Sequence, residues 1–338
     1  MTIIYAILIF CLLITVHELG HFVVAKACGV KVNEFAIGMG PAFFQKQKGE
    51  TLYSLRVFPI GGFCAMEGED EDSKDERAFN NKPAWQRALV LVAGSFMNLV
   101  TAVVLMIIIA FSIGQPTTTI DQVIDNSPAY EIGIQSGDTV KSINGEAIDN
   151  WEELTTIISA EVEENPMTFV VVRDGEELTY QIIPEVDPTE QRGKIGITPT
   201  SERNIVASFG TGIKNTGEMA VMMVDIIKQL FTGDVSATEL SGPVGIVYAV
   251  NESAKVGVIY VVYLAALLSL NLAIINMLPF PALDGGRILF LVIRKITGKR
   301  VTDELEGKIH FIGILLLFAL MIYVTWNDIV KFIIPIFS

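Results

Sequence analysis

The sequence contains four apolar runs, at about residues 3–27, 88–113, 256–278 and 309–330. Each is long enough to cross ~30 Å of hydrocarbon as a helix rising ~1.5 Å per residue. No other feature constrains the fold as tightly, because only helices and closed barrels satisfy their own backbone polar groups in lipid. The expected fold class is a polytopic α-helical membrane protein with four transmembrane helices. The chain is 18% charged, against about 25% in soluble proteins. A removable signal peptide does not fit the first run, which lacks a basic start and an A-x-A site and is too long.

Lysine and arginine set the expected orientation. No residue before Lys26 is basic, whereas Lys26, Lys31, Lys46, Lys48 and Arg56 begin a basic first loop. Arg294, Lys295, Lys299, Arg300 and Lys308 fill the third. Both loops are expected in the cytoplasm, with both termini and the second loop outside. The net charge of −14 lies almost wholly between residues 114 and 255. An acidic domain with no basic stripe excludes nucleic acid as a partner. The acid run "EGEDEDSKDER" at 67–77 reads as a solvated loop. Cys11, Cys28 and Cys64 imply no disulfide framework.

Four sections follow: a first membrane half (1–113), an inserted α+β domain (114–200), amphipathic linker helices (201–255) and a second membrane half (256–338). In the linker, "EMAVMMVDIIKQLF" at 218–231 is too short to span. Its apolar residues recur at helical spacing, which predicts a helix lying on the bilayer or against the domain.

The first span carries "HELGH", placing His17, Glu18 and His21 in apolar surroundings. A charged residue there costs roughly 2.5–3.5 kcal/mol on insertion scales, so polar groups at this depth call for a functional reason. On a helix His17 and His21 stand one turn apart on one face. That spacing lets both imidazoles hold one Zn²⁺ and leaves the Glu18 carboxylate free to take a proton from an activated water. A polar lining for an ion pathway is the competing reading.

A zinc site needs a third protein ligand. Asp284, in "NMLPFPALDGGRI" after the third span, is the best candidate, and His310, at the start of the fourth, is its competitor. Asn276, Pro279, Pro281 and the Gly285–Gly286 pair cannot belong to an ordinary helix interior. Irregular backbone at membrane depth is tolerated where it is buried in protein or lines a wet cavity.

Taken in order, "HELGH", "FAIGMGP", "GPVGI" and "NMLPFPALDGG" resemble the site-2 protease family of intramembrane zinc metalloproteases, and most closely the bacterial regulator of sigma-E protease group. The resemblance covers nearly the whole chain. It implies that His17, His21 and Asp284 ligate zinc, that Glu18 is the general base, and that Asn271, Asn276, Pro279 and Pro281 hold the substrate backbone near the metal. Residues 31–63 resemble the family's re-entrant β-hairpin, in which Gly38 and Gly40 permit close approach of an unwound substrate strand. Residues 117–199 are similar to a PDZ core, with "GKIGI" at 193–197 matching the ligand loop. The "AGSFMN" stretch of the second span is read as packing.

By that resemblance the protein sits in a bacterial cytoplasmic membrane, with its active site towards the inner leaflet. It cleaves single-span membrane proteins or remnant signal peptides after a site-1-type protease has trimmed them. The alternative is a PDZ-bearing scaffold that holds clients without cutting.

Overall fold

Apolar length dictates the helices. A computed structural model describes residues 2–69, 73–162, 165–189, 191–234, 241–297 and 303–337. Asp70, Glu71 and Asp72 of the acid run, and Lys299 and Arg300 of the third loop, lie outside them. Among the described residues four helices are long and apolar enough to cross a membrane: Ile4–Ala27, Ala84–Ile113, Val258–Ile275 and Glu304–Ile333. The chain divides into two units, one made of Met1–Ile109 with Thr211–Ser338, the other of Ala110–Gly210.

The first unit opens with α1 (Thr2–Ala27), then β1 (Val32–Lys48), β2 (Thr51–Met66) and α2 (Ala84–Ile113). The two strands pair twice. Phe35 opposes both Cys64 and Tyr53, and Ala36 opposes both Phe63 and Ser54. Residues 34–37 are therefore enclosed on both sides, while, among the described residues, 62–65 pair on one side only. Gly38 makes the fold-back possible: its φ is +86°, and a Cβ there would stand 2.6 Å from the Phe58 carbonyl oxygen. Phe35, Cys64 and Met66 pack with Ala25 of α1 and with Val90 and Leu91 of α2, fixing the sheet against both helices. The middle of the sheet leaves Met39, Phe43, Phe44 and Phe58 exposed.

The loop after β2 is organised by ion pairs. Glu67 accepts from Lys31, Asn33 and Ser73, and these bonds hold its carboxyl down at about 2. Glu50 joins Lys26 to Arg77, and Glu69 pairs with Arg287. Glu67, Glu69 and Asp75 of the acid run are thus tied to Lys31 and Arg287, while Lys74, Glu76 and Arg77 stay exposed to solvent.

In the second unit β3 (Gln115–Val123), α3 (Pro128–Glu131), β4 (Thr139–Ile143) and β5 (Glu146–Ala147) precede α4 (Trp151–Ala160). Next come β6 (Met167–Arg173), β7 (Glu176–Ile182), β8 (Glu185–Val186), β9 (Gly193–Lys194) and β10 (Ile197–Glu202). The main sheet runs β10-β3-β4-β6-β7, with β5 on β4 and β8 paired with β9 separately. Period-2 burial along β6 sends Met167, Phe169 and Val171 inwards, where Leu154 and Ile158 of α4 close the core. Asn150 caps α4 through the Glu153 amide, as its N-cap position favours.

The chain re-enters the first unit along α5 (Ile205–Thr232), which is 28 residues long and so extends well before the predicted start at 218. Three glycines at 210, 212 and 217 weaken its sequence signal. Gly212 has a packing reason: a Cβ there would meet the Ile107 side chain at 2.5 Å. After it come α6 (Pro243–Val256), α7 (Val258–Ile275), α8 (Asp284–Thr297), α9 (Asp303–Asp328) and α10 (Ile334–Phe337). Val250 of α6 and Val261 and Ala265 of α7 pack on Ala6, Ile9 and Leu13 of α1. This packing brings the end of α7, and the loop leading to α8, beside the HELGH turn.

Candidate metal centre

Helical periodicity alone stacks His17 and His21. Their Nε2 atoms lie 3.1 Å apart, with the rings edge to face. Asp284 arrives from a distant part of the chain, in the first turn of α8. Its Oδ2 is 3.3 Å from His17 Nε2 and 3.5 Å from His21 Nε2. One ligand atom from each of these three residues lies within 4.8 Å of the others.

The spacing fits zinc. Ligands at ~2.0–2.1 Å around a tetrahedral ion stand about 3.3 Å from each other. Asp284 Oδ2 is also buried without a hydrogen-bond donor, as a metal-directed carboxylate oxygen would be.

The 276–284 segment is held open by specific bonds. Asn276 ends α7, and its carbonyl accepts the Gly285 amide at 2.8 Å, closing the loop at its base. A Cβ on Gly285 or Gly286 would strike backbone atoms at 2.3 and 2.2 Å, so this turn admits no side chain at either position. Ala282 takes φ +83°, and its amide donates to His310 Nδ1 at 2.8 Å. His310 thus stands against the loop that carries Asp284, and among the described residues the group able to hold a metal comprises His17, His21 and Asp284.

The other predicted residues are dispersed. Asn276 Nδ2 reaches to 3.5 Å from His17 Nε2, while Asn271 lies five residues earlier on α7. Pro281 offers its carbonyl to the close approach of Gly313 on α9, and Pro279 is exposed. Gly38 and Gly40 both pack on Phe58. The glycine beside Glu18 is Gly62, where a Cβ would lie 3.7 Å from Glu18 Cγ.

Three features of α2 escape a reading of motifs. His21 Nδ1 donates to the Val90 carbonyl at 2.8 Å, which leaves the Nε2 lone pair facing Asp284. Gly94 lies under both rings; a Cβ there would be 2.4 Å from His21 Nε2 and 2.7 Å from His17 Cε1. Asn98, fully buried, places Nδ2 3.3 Å from His17 Nδ1. A polar residue in mid-span was the available signal for Asn98.

An H-E-x-x-H helix turn completed by an aspartate from a broken helix, among four apolar helices, defines a membrane zinc metalloprotease. The sequence comparison agrees: residues 5–320 match Peptidase family M50, and the chain belongs to that family. A relative in Clostridium acetobutylicum is 39% identical over 330 residues, covering 97% of each chain. The regulator of sigma-W protease RasP of Bacillus subtilis is 33% identical, covering 97% of this chain and 98% of its own. Among solved structures, the PDZ domain of an SdrC-like protein from Listeria monocytogenes covers 25% of this chain and 88% of its own, at 21% identity and a TM-score of 0.23. The protein is therefore a zinc metalloendopeptidase of a bacterial membrane, as the sequence reading expected.

Proposed function

We propose that the protein cleaves single-span membrane proteins within or near the bilayer, with anti-sigma factors and remnant signal peptides as candidate substrates. The observation that carries this reading is the meeting of His17 and His21, on an apolar helix long enough to span a membrane, with Asp284 at the start of α8. His17, His21 and Asp284 would hold the zinc ion. When bound there, zinc supplies a Lewis acid that makes water nucleophilic near neutral pH. Glu18 takes the proton of the attacking water and passes it to the leaving amine. Asn276, at the edge of the cluster, holds the scissile backbone, and Asn271, Pro279 and Pro281 shape the surface leading to it.

A transmembrane helix must unwind before a protease can reach its carbonyls, and the freed N–H and C=O groups then need partners. Residues 62–65 have one unpaired side beside Glu18 and supply such partners by strand addition. Gly38 and Gly40 support that strand through Phe58. The exposed Met39, Phe43, Phe44 and Phe58 suit a sheet that re-enters the bilayer from the cytoplasmic side. In this reading both termini and the α+β unit are extracytoplasmic, the active site lies towards the cytoplasmic leaflet, and a site-1-type protease acts first. Purified full-length protein should cut a model single-span substrate in detergent or liposomes, at bonds inside the apolar segment. Zinc binding without any such cleavage would favour the scaffold alternative.

A further inference from the structure

The two zinc-facing imidazoles are oriented from behind by one helix, α2, yet in different ways. His21 has an acceptor there, the Val90 carbonyl. His17 faces the side-chain amide of Asn98, whose Nδ2 lies 3.3 Å from Nδ1. With that nitrogen donating, Nδ1 must be the acceptor, so the ring proton sits on Nε2. Nε2 is the atom directed at His21 and Asp284, and a protonated Nε2 cannot ligate a metal. The opposite end of the amide, Oδ1, is buried without a partner. The two ends have the same shape, so half a turn of the amide exchanges them at no steric cost.

We propose that Asn98 is a positioning residue for zinc: its amide oxygen accepts the Nδ1–H of His17 and keeps Nε2 unprotonated and aimed at the metal. The inference rests on the reading of His17 as a ligand. The place of Asn98 is fixed from a third helix, since Ser269 Oγ of α7 donates to the Asn98 carbonyl at 2.7 Å. Asn98 and Ser269 are both fully buried. The contact thus links α1, α2 and α7 at the depth of the site. Acceptors behind metal-ligating histidines typically contribute 10–100-fold in metal affinity.

The test measures zinc affinity of the full-length protein in detergent, by competition with a chromophoric chelator, alongside thermal unfolding of the metal-free form. Asn98→Ala should weaken zinc by about 10–100-fold. Asn98→Asp presents only acceptors and should hold zinc as tightly as the parent, or tighter. Wild-type affinity in Asn98→Ala would overturn the proposal. So would a loss in Asn98→Asp as large as that in Asn98→Ala, because a purely structural asparagine is not rescued by the acceptor-only variant. If Asn98→Ala fails to fold, Asn98→Asp decides alone, and a tenfold or greater loss overturns the idea. His17→Ala serves as the control: unchanged zinc affinity there would refute the ligand assignment itself, a failure distinguishable from that of Asn98.

Discussion

His310 Nδ1 accepts the backbone amide of Ala282 at 2.8 Å, two residues before Asp284. The histidine that competes with Asp284 for the metal in the sequence is thus engaged in holding the loop that delivers it. Ala282 has φ +83°, a region in which residues with a Cβ persist only when the surroundings hold them there. The expected order follows. Asp284→Asn should weaken zinc strongly, because a charged ligand is removed, whereas His310→Gln should weaken it by a smaller factor through loosening of the loop. Equilibrium zinc titration of both variants checks this, and the reverse order would transfer the ligand role to His310.

Glu18 stands beside the cluster but is not one of the three residues whose ligand atoms converge. Glu18→Gln should therefore retain one zinc per chain and the parent's unfolding temperature. Cleavage of a model transmembrane substrate should fall by ~10²–10⁴-fold, the usual contribution of a general base. Near-parental turnover with zinc retained would remove Glu18 from the chemistry.

The "GPVGI" stretch finds its physical explanation in Asp328. That carboxylate, buried near the end of α9, accepts the amides of Gly242 at 3.0 Å and Gly245 at 2.7 Å. It caps α6 from a residue more than eighty positions away. Added side chains at 242 or 245 would meet it at 2.9 Å, which accounts for both glycines. Asp328→Ala leaves two helix N–H groups without their acceptor and should cost about 1–3 kcal/mol. Asp328→Asn, which keeps one acceptor oxygen, should cost less. Thermal unfolding in one detergent compares them, and equal losses would mean that the carboxylate's shape, not its capping bonds, is what matters.

Two kinds of information were legible in the sequence. Apolar length revealed the spans because lipid permits few solutions, and i, i+4 spacing showed that His17 and His21 share a face. The double pairing of β1 with β2 was not legible, although strands of 17 and 16 residues interrupted by Gly38, Gly40, Pro41, Gly61 and Gly62 hinted at bends. The contributions of Val90, Gly94 and Asn98 could not be read from motifs at all. A carbonyl, an absent side chain and a lone amide act only through how α2 packs against α1. The start of α5 was hidden by three glycines that lower its propensity, of which Gly212 serves packing against Ile107.

In the α+β unit, Asp138 is fully buried and is gripped by Arg173 Nε and Nη2, both at 2.7 Å, and by the Gln135 amide at 2.9 Å. Burial alone would raise its carboxyl, but these bonds outweigh burial and hold it below the usual aspartate range. The folded value is thus depressed relative to the unfolded one. The stabilisation is fully present above the ordinary value of about 3.9 and is lost as pH falls below it, through the folded value. Arg173→Met should destabilise this unit by on the order of 3 kcal/mol at neutral pH, with the deficit shrinking below about pH 4. Hydrogen exchange of the Val140 and Val171 amides in the full chain would follow it. A deficit that stays constant from neutral pH to pH 3 would show that Arg173 acts by packing.

The last prediction concerns what the α+β unit does for proteolysis. Two roles are open to an acidic module of this kind: recruiting new substrate C-termini, or excluding substrates whose external part is too bulky. Recruitment requires positive potential near a carboxylate-binding loop. Arg192, Gly193, Lys194 and Gly196 line a cavity of about 310 Å³ with Trp151 and Ile158. Lys194, however, is paired with Asp187 at 2.6 Å. The surrounding domain carries most of the chain's negative charge, which repels free carboxylates beyond contact range. Exclusion requires only a folded mass, and we favour it. The unit can be removed cleanly, because Pro116 and Ser201 are register partners on β3 and β10, so the cut ends lie side by side. Replacing residues 117–199 by a short flexible linker should let the enzyme cut a full-length substrate that the parent rejects. Cleavage of a pre-trimmed form should continue at the parental rate, with zinc content unchanged. If the deletion instead loses the trimmed substrate while keeping its zinc, the domain recruits, and the charge argument is overruled by contacts inside the groove.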